Sequence, residues 1–287
     1  MPEQVHFVHK PDFRLLRKRL CMAAVIGTLF LGSTSRAAEP LETVPFGGKD
    51  FTVTETEEGE KLLSWGQLEI TRNWFISSGG VFEVQGEQVA VFYSGNGGNA
   101  CGPKTILATV DQAGRLKTAS PPGDCGDPSP AISESAVYFI PWLIPGESQT
   151  AYRWSPYDGM LPAGTLSYTP VPGTGWADLA TANVTQPMDI LGYEEIYKEA
   201  QGLLGDDLED YAIGLAVASE PEKTPDGLLA GSGCIPHACG GGDALIVADA
   251  ANRKLYLAQQ DGDGYRAWPD ISAWPEAARQ KLALIDR

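Results

Sequence analysis

Two thiols, a proline and an imidazole fall within six residues: Cys234, Ile235, Pro236, His237, Ala238 and Cys239, bounded by Gly233 and Gly240. Fully extended, the step between the two cysteines spans about 17 Å, whereas a disulfide holds its Cα atoms roughly 4.4 to 6.8 Å apart. A bond between them therefore predicts a tight, projecting loop. Pro236 fixes φ and removes a backbone donor, so His237 is expected at a stiff tip whose ordering cost is already met. Such a loop suits recognition by one outward imidazole.

Other chemistry competes for the same residues. Cys234, His237 and Cys239 supply three metal donors, but no fourth ligand is evident, and no cofactor or metal is expected. A cysteine nucleophile is disfavoured where the thiol is oxidised. Elsewhere there is no Gly-x-Ser-x-Gly, phosphate loop or, after residue 37, Ser-x-x-Lys, so no catalytic residue is assigned and a non-enzymatic protein is expected. Asp261, Gly262, Asp263 and Gly264 begin like a calcium loop, yet Tyr265 and Ser272 stand where oxygen ligands belong, which leaves a turn. Trp65, Trp74, Trp142, Trp154, Trp176, Trp268 and Trp274 could include a glycan-stacking platform, although tryptophans in short strands more often fill cores. The pairs Glu194 with Glu195 and Asp206 with Asp207 read as a solvated helix face and cap.

Composition narrows the setting. Residues 1–37 have the form of an export signal: a basic segment with Lys10, Arg14, Arg17, Lys18 and Arg19, an apolar run from Leu20 to Gly32, and a small-x-small site at Ser35, Arg36, Ala37. That run is too short to span a bilayer, and no later one approaches 18 apolar residues, so a periplasmic or secreted protein with no membrane span is expected. Removing six basic and two acidic residues from totals of 21 and 37 leaves a formal charge of −20. Such acidity argues against nucleic acid and is compatible with a basic partner, although on charge alone the simpler reading is that it keeps an exported protein soluble. His6 and His9 leave with the signal, so His237 is the one histidine remaining. Four cysteines then remain, and in an oxidising compartment the sequence order favours Cys101 with Cys125 and Cys234 with Cys239.

The elements that must position the loop follow from periodicity. Residues 38–60 read as a loose leader and residues 61–160 as a β-rich domain of short β-branched and aromatic runs separated by Gly, Pro, Asn and Ser. Residues 161–187 read as a linker. Residues 188–287 read as an α+β domain: an amphipathic helix over 193–204 ended at Gly205, a buried strand over 211–218, strands flanking the cysteine loop, and a last helix capped by Ser272. The fold class is thus a β-rich N-terminal domain followed by an α+β C-terminal domain with an antiparallel sheet and flanking helices.

The pattern Cys-x-Pro-His-x-Cys-Gly, followed by the strands Ala244–Val247 and Leu255–Leu257, resembles the Ivy family, periplasmic inhibitors of vertebrate (c-type) lysozyme. The resemblance covers roughly residues 190–287. It implies that a loop closed by Cys234 and Cys239, stiffened by Pro236, enters the cleft of a basic lysozyme-type hydrolase, where His237 meets the two catalytic carboxylates. Ile235 and Ala238 stand where the family usually carries Lys and Asp. The contrasting reading is a cell-envelope glycan-binding or structural protein, with peptidoglycan as partner and the loop only a staple.

Overall fold

The structure, a computed structural model, describes residues 39–98 and 101–286. The expected export signal lies outside the described residues. Alternation with a period of two builds the first half. Strands β1 (Glu42–Phe46), β2 (Lys49–Glu55), β3 (Lys61–Trp65) and β4 (Leu68–Asn73) form one antiparallel sheet. Phe51, Val53, Leu63 and Trp65 turn to one buried face, with Thr52 and Ser64 between them.

Two further four-stranded meanders follow: β5 (Phe75–Val84), β6 (Glu87–Gly95), β7 (Lys104–Val110) and β8 (Leu116–Ala119), then β9 (Pro130–Ile132), β10 (Val137–Phe139), β11 (Ser148–Ser155) and β12 (Gly159–Ser167). The middle sheet is covered on both faces. Val89, Ala90, Val91 and Phe92 of β6 are all fully buried. Ala90 and Phe92 pack with Phe51 and Leu63 of the first sheet, and Phe51 and Phe92 place their ring centroids 4.7 Å apart. Val89 and Val91 pack with Val137, Phe139 and Trp154 of the third. A continuous apolar run in β6 is what a strand buried on two sides requires.

The second half begins with helices α1 (Trp176–Thr181), α2 (Glu194–Leu204) and α3 (Leu208–Ile213), with a 3-10 turn at Pro187–Gly192. Strands β13 (Val217–Ala218), β14 (Glu222–Lys223), β15 (Leu229–Cys234), β16 (Ala244–Asp249), β17 (Lys254–Asp261) and β18 (Gly264–Trp268) make an antiparallel sheet ordered β13-β15-β16-β17-β18, with β14 also on β15. Residues Ala244, Ile246 and Ala248 of β16 face the helices through Ile196, Ala200 and Tyr211. Leu245 and Val247 face the opposite layer, where Trp274, Ala278 and Ile285 close the core around α4 (Glu276–Arg279).

Several local expectations need correction. The supposed leader carries β1 and β2, because Val44, Phe46, Phe51 and Val53 supply apolar side chains to the first core despite the surrounding Pro and Gly. The stretch read as a linker holds the end of β12 and all of α1, and buries Trp176, Leu179 and Val184 against the C-terminal helices. Tyr211–Ala218 is not one strand: Tyr211–Ile213 end α3, a turn follows, and only Val217 and Ala218 are strand. Leu208, Tyr211, Ala212 and Leu215 recur at helical intervals and are all buried, so one helical face packs on the sheet. The final helix is broken: Asp270, not Ser272, caps a short 3-10 turn by accepting from the Ser272 N–H at 2.9 Å, and α4 starts only after Pro275.

Candidate functional site: the cysteine loop

Strands β15 and β16 are neighbours, with Gly233 opposite Ala244, and the loop is the connection between them. Two paired strands give the loop a rigid base. Cys234 is buried and pairs with Val217 of β13, while Cys239 is exposed. Their sulfurs are bonded, with the Cα atoms 4.8 Å apart. Neither sulfur is then a thiolate, which removes the metal and nucleophile readings of this cluster.

A turn inside the disulfide presents the histidine. The Ala238 N–H donates to the Ile235 carbonyl at 3.0 Å, enclosing Pro236 and His237. Pro at the second position and a positive φ at the third are the type II pattern, and His237 holds φ at 65°. Pro236, His237 and Ala238 are all exposed. A second turn follows, with the Gly241 N–H donating to the Ala238 carbonyl at 3.2 Å.

The return of the loop is anchored by residues outside the motif. Asp243 is 1% exposed, and its Oδ1 accepts from the Gly240 N–H at 2.6 Å. Its carbonyl accepts from the Gln260 N–H at 2.9 Å, which ties the loop to β17. Ile235 is half-buried, and its Cδ1 lies 2.6 Å from where a Cβ on Gly242 would sit. Gly233 is packed as closely, since a Cβ there would stand 2.7 Å from Leu215 Cα. Sequence reasoning missed Asp243. An acidic residue just before an apolar strand, three residues after a glycine that must turn, was the available signal.

The other predicted bond is also present. Cys101 and Cys125 are joined, with Cα atoms 4.9 Å apart, across the β7–β8 hairpin. Beside it, Lys104 Nζ donates to the Gly123 carbonyl at 2.9 Å and to Asp127 Oδ1 at 2.5 Å. The buried Asp127 carboxylate also accepts from the Thr105 N–H. This bond stitches sheet ends and lies in the other domain from the His237 loop.

Of the seven tryptophans, Trp65, Trp154, Trp176 and Trp274 are core residues, Trp268 is half-buried, and Trp74 and Trp142 are exposed. Asp261–Gly264 is the two-residue hairpin turn between β17 and β18, with Gly262 at φ 61°. Glu194 and Glu195 do more than solvate a face: the Glu194 carboxylate takes Lys198 and the Gly173 N–H, and these hold it below the usual carboxylate range, while Glu195 accepts from the Trp176 N–H at 3.4 Å. Among the described residues no group of three or more His, Cys, Asp or Glu could hold a metal ion, and no helix is long and apolar enough to cross a membrane.

The two domains coincide with two family matches. Residues 195–285 match the inhibitor of vertebrate lysozyme (Ivy) family, and residues 47–167 match the Y4bG N-terminal domain. The protein is therefore of a class that joins a Y4bG-type β domain to an Ivy domain. Over 229 residues it is 30% identical to the uncharacterized protein y4bG of Sinorhizobium fredii, covering 79% of this chain and 84% of that one. The chain belongs to the y4bG family.

Proposed function

We propose that this protein is an exported inhibitor of a lysozyme-type glycoside hydrolase, and that it acts by inserting the 234–239 loop into the enzyme's cleft. The observation that carries this reading is His237, exposed in a proline-stiffened turn inside a covalent ring, within a domain that matches the lysozyme-inhibitor family. A retaining glycosidase keeps two carboxylates a few ångströms apart, one protonated and one ionised. An imidazole between them donates to both, most strongly as imidazolium.

Cys234 and Cys239 close the loop, Pro236 limits its conformations, and Asp243 fixes its return. Ile235 packs over Gly242, so it holds the loop to its base and leaves the tip to make the contact. The formal charge of −20 after loss of residues 1–37 draws a basic enzyme from solution.

Titration of the protein into a c-type lysozyme assay tests the proposal. Inhibition at micromolar protein is expected, with His237→Ala reducing it by at least about tenfold, since alanine removes a hydrogen-bonding centre from a desolvated contact. Absence of inhibition by the wild-type chain, or full inhibition by the alanine variant, would sink insertion of His237 as the mechanism.

A further inference from the structure

Between the connection that follows β10 and the 3-10 turn Pro187–Gly192, a cavity of about 390 Å³ opens where the β domain meets the C-terminal domain. Its wall includes Trp142, Tyr168, Thr174, Met188, Asp189 and Tyr193. Domain junctions are common places for small-ligand sites. Trp142 is 89% exposed, a large apolar surface left in water at the rim. No lysine, arginine or histidine lines the cavity among the described residues.

The polar groups decide what fits. Tyr168 Oη already donates to the Leu191 carbonyl at 3.4 Å. Thr174 Oγ1 donates to the Val171 carbonyl at 2.6 Å and accepts from the Glu194 N–H at 3.1 Å. Asp189 uses only Oδ2, which accepts from the Gln186 N–H at 3.0 Å and from Thr185 Oγ1 at 3.4 Å. Oδ1 keeps its acceptor capacity. The carboxylate is near both phenols: burial first, and then its negative charge among lesser causes, raise Tyr168 and Tyr193 above the ordinary tyrosine range.

A sugar brings several hydroxyls, each needing a partner once desolvated, and this wall has few to give. An organic cation asks instead for π faces and one counter-charge, which the wall supplies through Trp142, Tyr168, Tyr193 and Asp189. We infer that this interdomain cavity is a binding site for a small organic cation of the alkylammonium class, with the aromatic rings facing its methyl groups and Asp189 balancing its charge. The site is separate from the cysteine loop and does not depend on the inhibitor reading.

Calorimetric titration of the intact protein with choline, and with its neutral isostere 3,3-dimethyl-1-butanol, tests the inference. Choline is expected to bind at millimolar or lower concentration and at least about tenfold tighter than the alcohol. Trp142→Ala is expected to weaken choline at least about fivefold, and Asp189→Asn, which removes an exposed counter-charge, about two- to fivefold, while the alcohol is unaffected by Asp189→Asn. Asparagine can still accept from the Gln186 N–H, and Trp142 is exposed, so both variants keep the fold. Equal binding of choline and alcohol, no binding of choline up to about 50 mM, indifference to both substitutions, or preferential binding of N-acetylglucosamine oligomers would each overturn it.

Discussion

His237 holds a backbone conformation that glycine adopts more readily. For a side chain bearing Cβ, the left-handed region costs on the order of 1 to 2 kcal/mol, and His237 occupies it at φ 65°. Residues kept in such conformations cluster where recognition or catalysis gains from them. His237→Gly is therefore expected to leave the folding free energy unchanged or raise it by up to about 1 kcal/mol, after the glycine's greater freedom in the unfolded chain is counted. The same substitution should abolish inhibition of lysozyme. Urea denaturation and the enzyme assay, run on one preparation, give both halves. A large loss of stability would show that the histidine side chain is a structural prop.

At the scale of elements, α3 is locked to the sheet through one buried phenol. Tyr211 is fully buried, and its hydroxyl donates to the Leu245 carbonyl at 2.6 Å. Tyr211→Phe removes the donor and leaves that carbonyl short of a partner, a cost of about 1 to 3 kcal/mol. Burial also pushes the Tyr211 phenol well above its ordinary value of 10. Unfolded, it ionises near pH 10; folded, it stays protonated. The associated stability is thus complete below pH 10 and drains as pH rises, because the unfolded chain releases a proton that the native chain keeps. Denaturation series above pH 10 should show a slope shallower in Tyr211→Phe by about 1.4 kcal/mol per pH unit. Identical slopes would remove Tyr211 from the account of alkaline unfolding. This helix was also the element hardest to read from sequence. Tyr211–Ala218 is an apolar run that periodicity cannot assign by itself, and only burial of Leu208, Tyr211, Ala212 and Leu215 on one face settles it. In contrast, α2 was legible through its stripe of Ile196, Tyr197, Ala200, Leu203 and Leu204, of which all but Leu203 are buried, with charged residues opposite. The cysteine loop was legible because covalent geometry leaves it few alternatives. Asp243 was missed although its bond to the Gly240 N–H is local; its other partner, the Gln260 N–H, reaches it only when β16 pairs with β17. The strands β1 and β2 escaped notice because Pro45, Gly47 and Gly48 outweigh their apolar residues in any local count.

For the whole molecule, close contacts join the two domains. The Gly146 N–H donates to Tyr197 Oη at 3.3 Å, and Tyr168 lies 5.3 Å from Tyr197 between ring centroids. Gly146 holds φ at 90°, and a Cβ there would fall 2.8 Å from the Glu209 backbone nitrogen. Gly146→Ala should therefore cost about 1 to 3 kcal/mol by forcing the seam apart. It should also separate the unfolding of the two domains, followed by fluorescence and by circular dichroism in parallel. Coincident, unshifted transitions would show that the seam yields without cost. Charge acts at the same scale. If the proposed inhibitor function holds, association with a basic lysozyme should slow as salt rises from about 20 to 300 mM, because steering by an acidic chain, formally −16 over its full length, is screened within a Debye length. A salt-independent on-rate, measured by stopped flow, would leave shape alone to explain recognition.

The ring formed by Cys234 and Cys239 has a consequence for survival among proteases. A single cut at any peptide bond between the two cysteines would end the conformational restraint on His237, yet both new ends would stay covalently attached to the sheet. Nicked protein would stay in one piece under non-reducing conditions while losing the constrained tip to which we assign recognition, so intact size would be no measure of intact function.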